Sequence, residues 1–238
     1  MNTLTMSPVF GVSLTVMFYA AALLLQKKLS WAHPLIVTCA GLMLTIKLLR
    51  IPLENYAIGG DMLTYLLGPA VIALGVPVYK NGRNLSKAAV PLSVAIGVGS
   101  TVGMLTAGVC AAWMGAPKEL IASAVPKSVT TPIAMEIARE LHGFPEIAAA
   151  MALMAGIIGN LVGPEILRFC GVKQHLAMGA AMGTSSHGFG AARMLKEHDL
   201  QGSTASLAMA VAGITVSVLA MLVPWILRIM AGRSWHGI

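Results

Sequence analysis

Two short polar stretches interrupt an otherwise apolar chain, and both carry residue types suited to binding an anion. The first is PKSVTTP, from Pro126 to Pro132, and the second is GTSSHG, from Gly183 to Gly188. Together they supply an ammonium group, an imidazole and several hydroxyls, and a helix that starts at a break adds unpaired N–H groups. This inventory predicts a site for a carboxylate of about two or three carbons, with hydroxyls also contacting a 2-oxo or 2-hydroxy group.

Each residue in these stretches has a predicted role. Lys127 is the candidate counter-charge for the carboxylate, and His187 is the candidate proton carrier because imidazole titrates near neutral pH. Lys127 could instead extend to a membrane interface or pair with Glu136 or Glu165, and His187 could be a packing residue. Single hydroxyls often bond the helix backbone in membrane spans, so the prediction depends on their clustering. The candidate binding hydroxyls are Ser128, Thr130, Thr131, Thr184, Ser185 and Ser186.

Prolines and glycines predict that the helix is broken at both stretches. Non-helical backbone in a bilayer is tolerated only where protein buries it or where it lines a wet cavity. No acidic residue close in sequence could orient the histidine of GTSSHG, and a G-x-S-x-G elbow is absent, so we do not predict an enzyme. Neither a metal nor a cofactor is predicted. The residues expected to enforce the breaks are Pro126, Pro132, Gly183, Gly188 and Gly190.

The composition predicts that these breaks lie in a membrane. Of the 238 residues, 57% are hydrophobic and 11% are charged, whereas soluble domains carry roughly 25% charged residues. The net charge of +7 is scattered through short loops, which favours orientation against an anionic inner leaflet over nucleic-acid binding. The fold class is therefore an all-α polytopic membrane protein, with residues 1–238 forming a single domain.

Apolar segments long enough to cross a bilayer predict about six full transmembrane helices. Basic residues place the loops around Lys27 and Lys28, and around Lys80, Arg83 and Lys87, on the inside, so the N-terminus is predicted to lie outside. The spans are expected near residues 8–25, 32–49, 62–79, 88–113, 146–168 and 203–230.

Two further segments, 118–141 and 174–197, carry the polar stretches and predict an internal repeat. Ser128 and Ser185 are separated by 57 positions, as are Arg139 and Lys196. The predicted repeat units cover about residues 118–170 and 174–231. Each broken segment could cross the membrane, which would make the copies parallel, or re-enter as a hairpin, which would make them inverted. We favour hairpins, because inverted repeats with broken helices are typical of secondary transporters.

Three stretches carry a resemblance to a known family. PKSVTTPIA, AMGAAMGTSSHGFGAAR and GIIGNLVGP, which begin at Pro126, Ala177 and Gly156, closely resemble the LrgB/CidB family of bacterial membrane proteins. The resemblance covers essentially the whole chain. It implies a multi-pass protein of the bacterial inner (plasma) membrane that works with a small LrgA/CidA-type membrane partner, and we also expect homo-oligomers.

The same resemblance implies two different functions. Family members are described as antiholin-like or holin-like regulators of murein hydrolase activity and autolysis. The family also includes the C-terminal half of the plant plastidal glycolate/glycerate transporter, and some bacterial pairs are linked to pyruvate uptake. We favour a secondary transporter, or a subunit of one, for small 2-oxo or 2-hydroxy monocarboxylates, because a holin-like role does not require two polar breaks. Regulation of autolysis is the alternative.

Overall fold

The computed structural model describes residues 5–29 and 34–222, and these residues form helices and no strands. They divide into two compact units, Met1–Ala73 and Leu74–Ile238. The first unit contains α1 (Pro8–Lys28), α2 (Pro34–Leu48), α3 (Leu53–Tyr65) and α4 (Leu67–Ala73). The second unit contains α5 (Gly75–Lys80), α6 (Gly82–Lys87), α7 (Ala89–Trp113), α8 (Lys118–Ala124), α9 (Thr131–Glu140), α10 (Pro145–Phe169), α11 (His175–Glu197) and α12 (Asp199–Ala220).

In the first unit, α1 packs against α2 and α3. The crossing of α1 and α3 is close, because a Cβ added at Gly11 would lie 2.7 Å from the carbonyl oxygen of Tyr56. Beside this crossing, the hydroxyls of Thr15 and Tyr56 are 2.9 Å apart and form a hydrogen bond. Small residues and hydroxyl pairs of this kind hold membrane helices together where apolar burial contributes little.

Five helical stretches in the described residues are long and apolar enough to cross a membrane. They confirm a polytopic helical membrane protein, although the count differs from the predicted six. The second predicted span, 32–49, gives only the 15-residue helix α2. The last predicted span, 203–230, begins earlier, at Asp199, and its residues after 222 lie outside the described chain. The five stretches are Pro8–Lys28, Leu53–Lys80, Ala89–Trp113, Pro145–Phe169 and Asp199–Ala220. The second of these runs through three consecutive helices, α3, α4 and α5.

The segment 118–141 is a helical hairpin, hereafter the first hairpin, made of α8 and α9. Its two ends meet: the Phe144 N–H, just after the second arm, donates a 2.7 Å hydrogen bond to Ser123 Oγ in the first arm. A Cβ added at Gly143 would also lie 3.0 Å from the carbonyl oxygen of Glu119. A straight helix of about 24 residues would separate these ends by roughly 35 Å. The chain therefore reverses direction between the arms, at Val125–Thr130, hereafter the first tip.

The segment 174–197 is also a hairpin. Its two helical arms are joined across a kink and are together labelled α11. The rings of His175 and His198, at its two ends, stack with centroids 3.9 Å apart. Closer to the turn, a Cβ added at Gly190 would overlap the carbonyl of Met182. The reversal occurs at His187, whose φ of 40° and ψ of −126° are not helical. This is the second hairpin, and residues Gly183–Gly188 are the second tip.

The two hairpins start from opposite ends of α10. The base of the first hairpin adjoins Pro145, where α10 begins, and the second hairpin follows Phe169, where α10 ends. Both tips lie against α7, at glycines that are four residues apart: Gly103 faces Ser128, and Gly99 faces Thr184. Each predicted repeat unit thus contains one hairpin and one span. The duplication of the sequence itself stays a prediction.

Candidate functional site

The first tip is shaped by Pro126, by a short irregular turn, and by Pro132 just after it. Pro126 is buried, and its carbonyl accepts a 3.2 Å hydrogen bond from the Val129 N–H, which tightens the turn. Thr130 then adopts an extended conformation and caps α9 without a side-chain hydrogen bond, and Pro132 occupies the first turn of that helix. Proline is favoured there because the N–H that it lacks has no helical partner. The tip is thus followed by a helix start whose first N–H groups do not donate to the Thr130 side chain.

The second tip has its non-helical backbone at a histidine rather than at a glycine. Positive φ values among the described residues occur at His187 but not at Gly183, Gly188 or Gly190. A non-glycine residue in such a conformation is strained by about 1–3 kcal/mol, and strain of this kind is concentrated at functional sites. The ring of His187 is held by a 3.0 Å hydrogen bond from Nε2 to the Ala152 carbonyl of α10.

A cavity of about 830 Å³ brings the two tips together along one face of α10. Lys127 of the first tip and the hydroxyl residues Ser185 and Ser186 of the second tip all line it. The α10 wall extends from Glu146 to Gly159, which corresponds to about 20 Å at the helical rise per residue. The α10 residues that line the cavity are Glu146, Ile147, Ala150, Met151, Met154, Ala155, Ile158 and Gly159.

Lys127 is half-buried, and its side chain makes no ion pair within the described residues. Its Nζ lies 3.5 Å from Ser128 Oγ, at the limit of a hydrogen bond. The two carboxylates considered as structural partners are engaged elsewhere: Glu136 pairs with Arg139, and Glu165 accepts from Arg193 at 3.0 Å. An ammonium within a membrane domain is costly unless an anion or polar groups compensate it. Lys127 therefore supplies a positive charge to the cavity that no described carboxylate neutralises.

Neighbouring residues of each tip point in opposite directions. Lys127 and Ser185 line the cavity with accessible side chains, and Ser186 lines it while buried against Gly159 of α10. Ser128 and Thr184 are instead buried against α7. A Cβ added at Gly103 would lie 3.3 Å from Ser128 Oγ. Because glycine leaves this space open, α7 approaches both tips closely. The two tips thus have a cavity side, which carries Lys127 and Ser185, and an α7 side, which carries Ser128 and Thr184.

The structure brings together only part of the predicted set of binding residues. Lys127, Ser128, Ser185 and Ser186 lie in or directly beside the cavity. The hydroxyl of Thr184 donates to the Ala180 carbonyl at 2.7 Å. The remaining candidates are not among the cavity-lining residues, and they are Thr130, Thr131 and His187.

One component of the site was not predicted from the sequence. It is the apolar wall with Glu146 at its end, whose signal is the repetition of lining positions every three or four residues along α10. In residues 5–29 and 34–222, no cluster of three or more His, Cys, Asp or Glu side chains could hold a metal ion.

Comparisons with known proteins agree with the resemblance noted in the sequence. Two Bacillus subtilis (strain 168) proteins, both described as uncharacterized, are each 33% identical to the chain. YwbG aligns over 87% of this chain and 92% of its own length, and YxaC over 92% and 96%. The antiholin-like protein LrgB of Bacillus cereus (strain B4264) is 30% identical, over 93% of this chain and 98% of that protein.

No solved structure matches the chain. A family model described as the LrgB-like family matches residues 15–227, which include both hairpins and the span between them. The chain therefore belongs to the LrgB-like family.

Proposed function

We propose that the protein is a secondary transporter, or the substrate-binding subunit of one, for small 2-oxo or 2-hydroxy monocarboxylates such as pyruvate or glycolate. It acts in the bacterial inner membrane with a small LrgA/CidA-type partner, and its N-terminus lies outside. The observation that carries the proposal is the position of Lys127, whose ammonium lines a cavity shared with Ser185 and Ser186. A carboxylate ligand would neutralise this charge and accept hydrogen bonds from both tips.

The architecture supports transport as well as binding. The two hairpins start from opposite ends of α10, and their tips line one cavity. Movement of one hairpin would therefore open the site to one side of the membrane or the other. Many secondary transporters place broken helices at the midplane in this way, and alternating access moves one structural repeat against the other. An inverted repeat built from one hairpin and one span per unit would satisfy this requirement.

The test is uptake of labelled pyruvate and glycolate into membrane vesicles that contain the chain, with and without an LrgA/CidA-type partner. Lys127→Gln removes the charge, and we expect uptake to fall roughly 10- to 150-fold, because a hydrogen bond to a charged group contributes about 1.5–3 kcal/mol. The matched control is Lys173→Gln, which removes an exposed lysine next to α11 and should leave uptake within about twofold of wild type.

Two results would contradict the proposal at different levels. Uptake by Lys127→Gln at the wild-type rate would show that the site is wrong even if the protein transports carboxylates. A wild-type chain that takes up neither acid in the presence of its partner would refute transport. The double variant Lys127→Ala, Ser128→Ala extends the first comparison to the neighbouring serine.

The second candidate function is regulation of autolysis, because relatives of this chain are named antiholin-like protein LrgB. The Lys127→Gln variant also separates this role from transport. If autolysis depends on carboxylate flux, cells that carry Lys127→Gln will lyse as cells without the protein do. If the variant still restores the wild-type rate of lysis, the regulatory role does not depend on the cavity.

A further inference from the structure

The cavity is much larger than the acids considered so far. A benzene molecule fits an apolar protein cavity of about 150 Å³, and pyruvate has the same number of non-hydrogen atoms as benzene. The cavity lined by the two tips and α10 has a volume of about 830 Å³. Bound pyruvate would therefore leave most of this space unfilled.

The unfilled space is bounded mainly by apolar side chains on one face of α10. They recur every three or four residues, as neighbours on a single helix face do. Ordered water needs two to four polar partners. Among the described residues that line the cavity, only Lys127, Glu146, Ser185 and Ser186 carry a polar side chain, so an apolar group of a ligand suits this wall better than water does. The apolar wall residues are Ile147, Ala150, Met151, Met154, Ala155 and Ile158.

The polar groups of the second tip lie at one end of the wall. A Cβ added at Gly159 would overlap the Ser186 side chain, and Ser185 is its neighbour in sequence. From Gly159 to Glu146, about 20 Å at the helical rise per residue, the intervening cavity-lining side chains of α10 are apolar. A carboxylate bound near the tips would thus leave room for a chain that extends along α10.

The two charged residues of the cavity favour a ligand with a single carboxylate. Lys127 supplies a positive charge, whereas Glu146 places a negative charge at the far end of the wall. A second carboxylate would be repelled by Glu146 at that end, and nearer the tips it would lose its hydration against apolar side chains. An apolar chain incurs neither cost.

We propose that the preferred substrates are 2-oxo or 2-hydroxy monocarboxylates with an apolar chain longer than that of pyruvate, held by Lys127 at the carboxylate and by the apolar wall of α10 along the chain. This inference rests on the proposed transport function and narrows its substrate class. The polar residues of the tips alone indicate an acid of about two or three carbons, and the wall adds the longer chain. Each methylene buried on the wall should tighten binding by roughly fourfold.

The experiment measures how unlabelled acids inhibit the uptake of labelled pyruvate into vesicles that contain the chain and its partner, with vesicles lacking the chain as background. The series is pyruvate, 2-oxobutanoate, 2-oxopentanoate and 2-oxohexanoate, and the inhibition constant should fall by roughly fourfold with each methylene. The dicarboxylate 2-oxoglutarate has the same chain length as 2-oxopentanoate and should inhibit at least about tenfold more weakly. A constant that stays level or rises with chain length would overturn the proposal.

Two neighbouring residues of α10 provide a matched pair of variants. Met154 lines the cavity and Leu153 is not among the lining residues, while both side chains are partly exposed, at 56% and 38%. Met154→Thr shortens the wall side chain and adds a hydroxyl, so it should reduce the gain per methylene to less than about twofold. Leu153→Thr should keep the gain of roughly fourfold. An equal gain in the two variants would show that the wall does not contact the chain of the acid.

A second variant changes the volume of the cavity rather than its polarity, and it keeps the test valid if Met154→Thr does not fold. Ala155 lines the cavity one turn before Gly159, and Ala155→Leu fills space that the chain would occupy. The inhibition constant of 2-oxohexanoate should rise relative to that of pyruvate by at least about fourfold. A ratio that stays as in wild type would mean that the wall contacts lipid or a partner helix instead, and the proposal would be wrong.

The outcomes also separate this inference from transport itself. If the wild-type chain takes up neither labelled pyruvate nor labelled 2-oxohexanoate, the transport function and the inference fail together. If it takes up pyruvate, and the longer acids inhibit no better than pyruvate does, only the inference fails.

Discussion

The backbone conformation of His187 predicts which of two variants at this position, glycine or alanine, is the more stable. The residue has φ 40° and ψ −126°, a conformation that glycine adopts readily and other residues do not. Consider His187→Gly and His187→Ala. Both variants lose the same ring and the same hydrogen bond to the Ala152 carbonyl, so the difference between them isolates the effect of a Cβ atom at this position.

The expected difference follows from two opposing preferences. In a regular helix, glycine is less stable than alanine by about 1 kcal/mol. At a strained positive φ, a residue with a Cβ is penalised by about 1–3 kcal/mol, and glycine relieves that strain. The net expectation is that His187→Gly is the more stable variant, by up to about 2 kcal/mol. In a unit of this size, each kcal/mol shifts the melting temperature by about 2–4 °C.

Thermal unfolding of the purified variants in detergent, followed by the loss of helical circular dichroism, measures this order. The glycine variant should melt above the alanine variant, by up to about 8 °C. The control is the same pair of substitutions at Met178, a buried position in the helical arm before the tip, where alanine should be the more stable variant. An alanine variant at position 187 that melts at or above the glycine variant would refute the reversal of the chain at this residue.

Three further predictions test the hairpins and their contacts. In a chain without native cysteines, a cysteine at His142 and one at Lys173 should react with impermeant reagents from opposite sides of the membrane, and labelling of both from one side would contradict the opposed hairpins. Ser123→Ala should lower the unfolding free energy by about 1–3 kcal/mol, measured by thermal shift, because the Phe144 N–H loses its acceptor; an unchanged melting temperature would contradict this role. Gly159→Ala should destabilise by about 1–3 kcal/mol, because its Cβ would overlap the Ser186 side chain. Adding Ser186→Gly should recover part of the loss, and strict additivity of the two effects would argue against the contact.

The sequence predicted the location of both breaks because prolines, glycines and hydroxyls are conspicuous in apolar segments. Residues 118–141 and 174–197 contain the two hairpins, as expected. The direction of the chain was harder to predict, since arms of this length are compatible with either a crossing or a reversal. Contacts between distant residues decide the matter, such as the stacking of His175 on His198.

The composition of the cavity could be predicted only in part. The charge of Lys127 and the hydroxyls of the second tip were expected at the site. Neighbouring hydroxyls such as Thr184 and Ser185 face opposite sides of the tip, and this depends on helix orientations that one sequence does not define.

The shortness of the hairpin arms has a consequence for the assembly of the protein. The arms of the first hairpin have 7 and 10 residues, whereas a segment that enters the bilayer alone needs about 20 apolar residues. Neither arm can therefore be inserted as an independent helix, and the tip residues Val125 and Val129 pack in one apolar cluster with residues of α7, α10 and α12. We expect the long helices to be integrated first during synthesis and the hairpins to follow, so the binding site forms late, after the chain around it is already in the membrane.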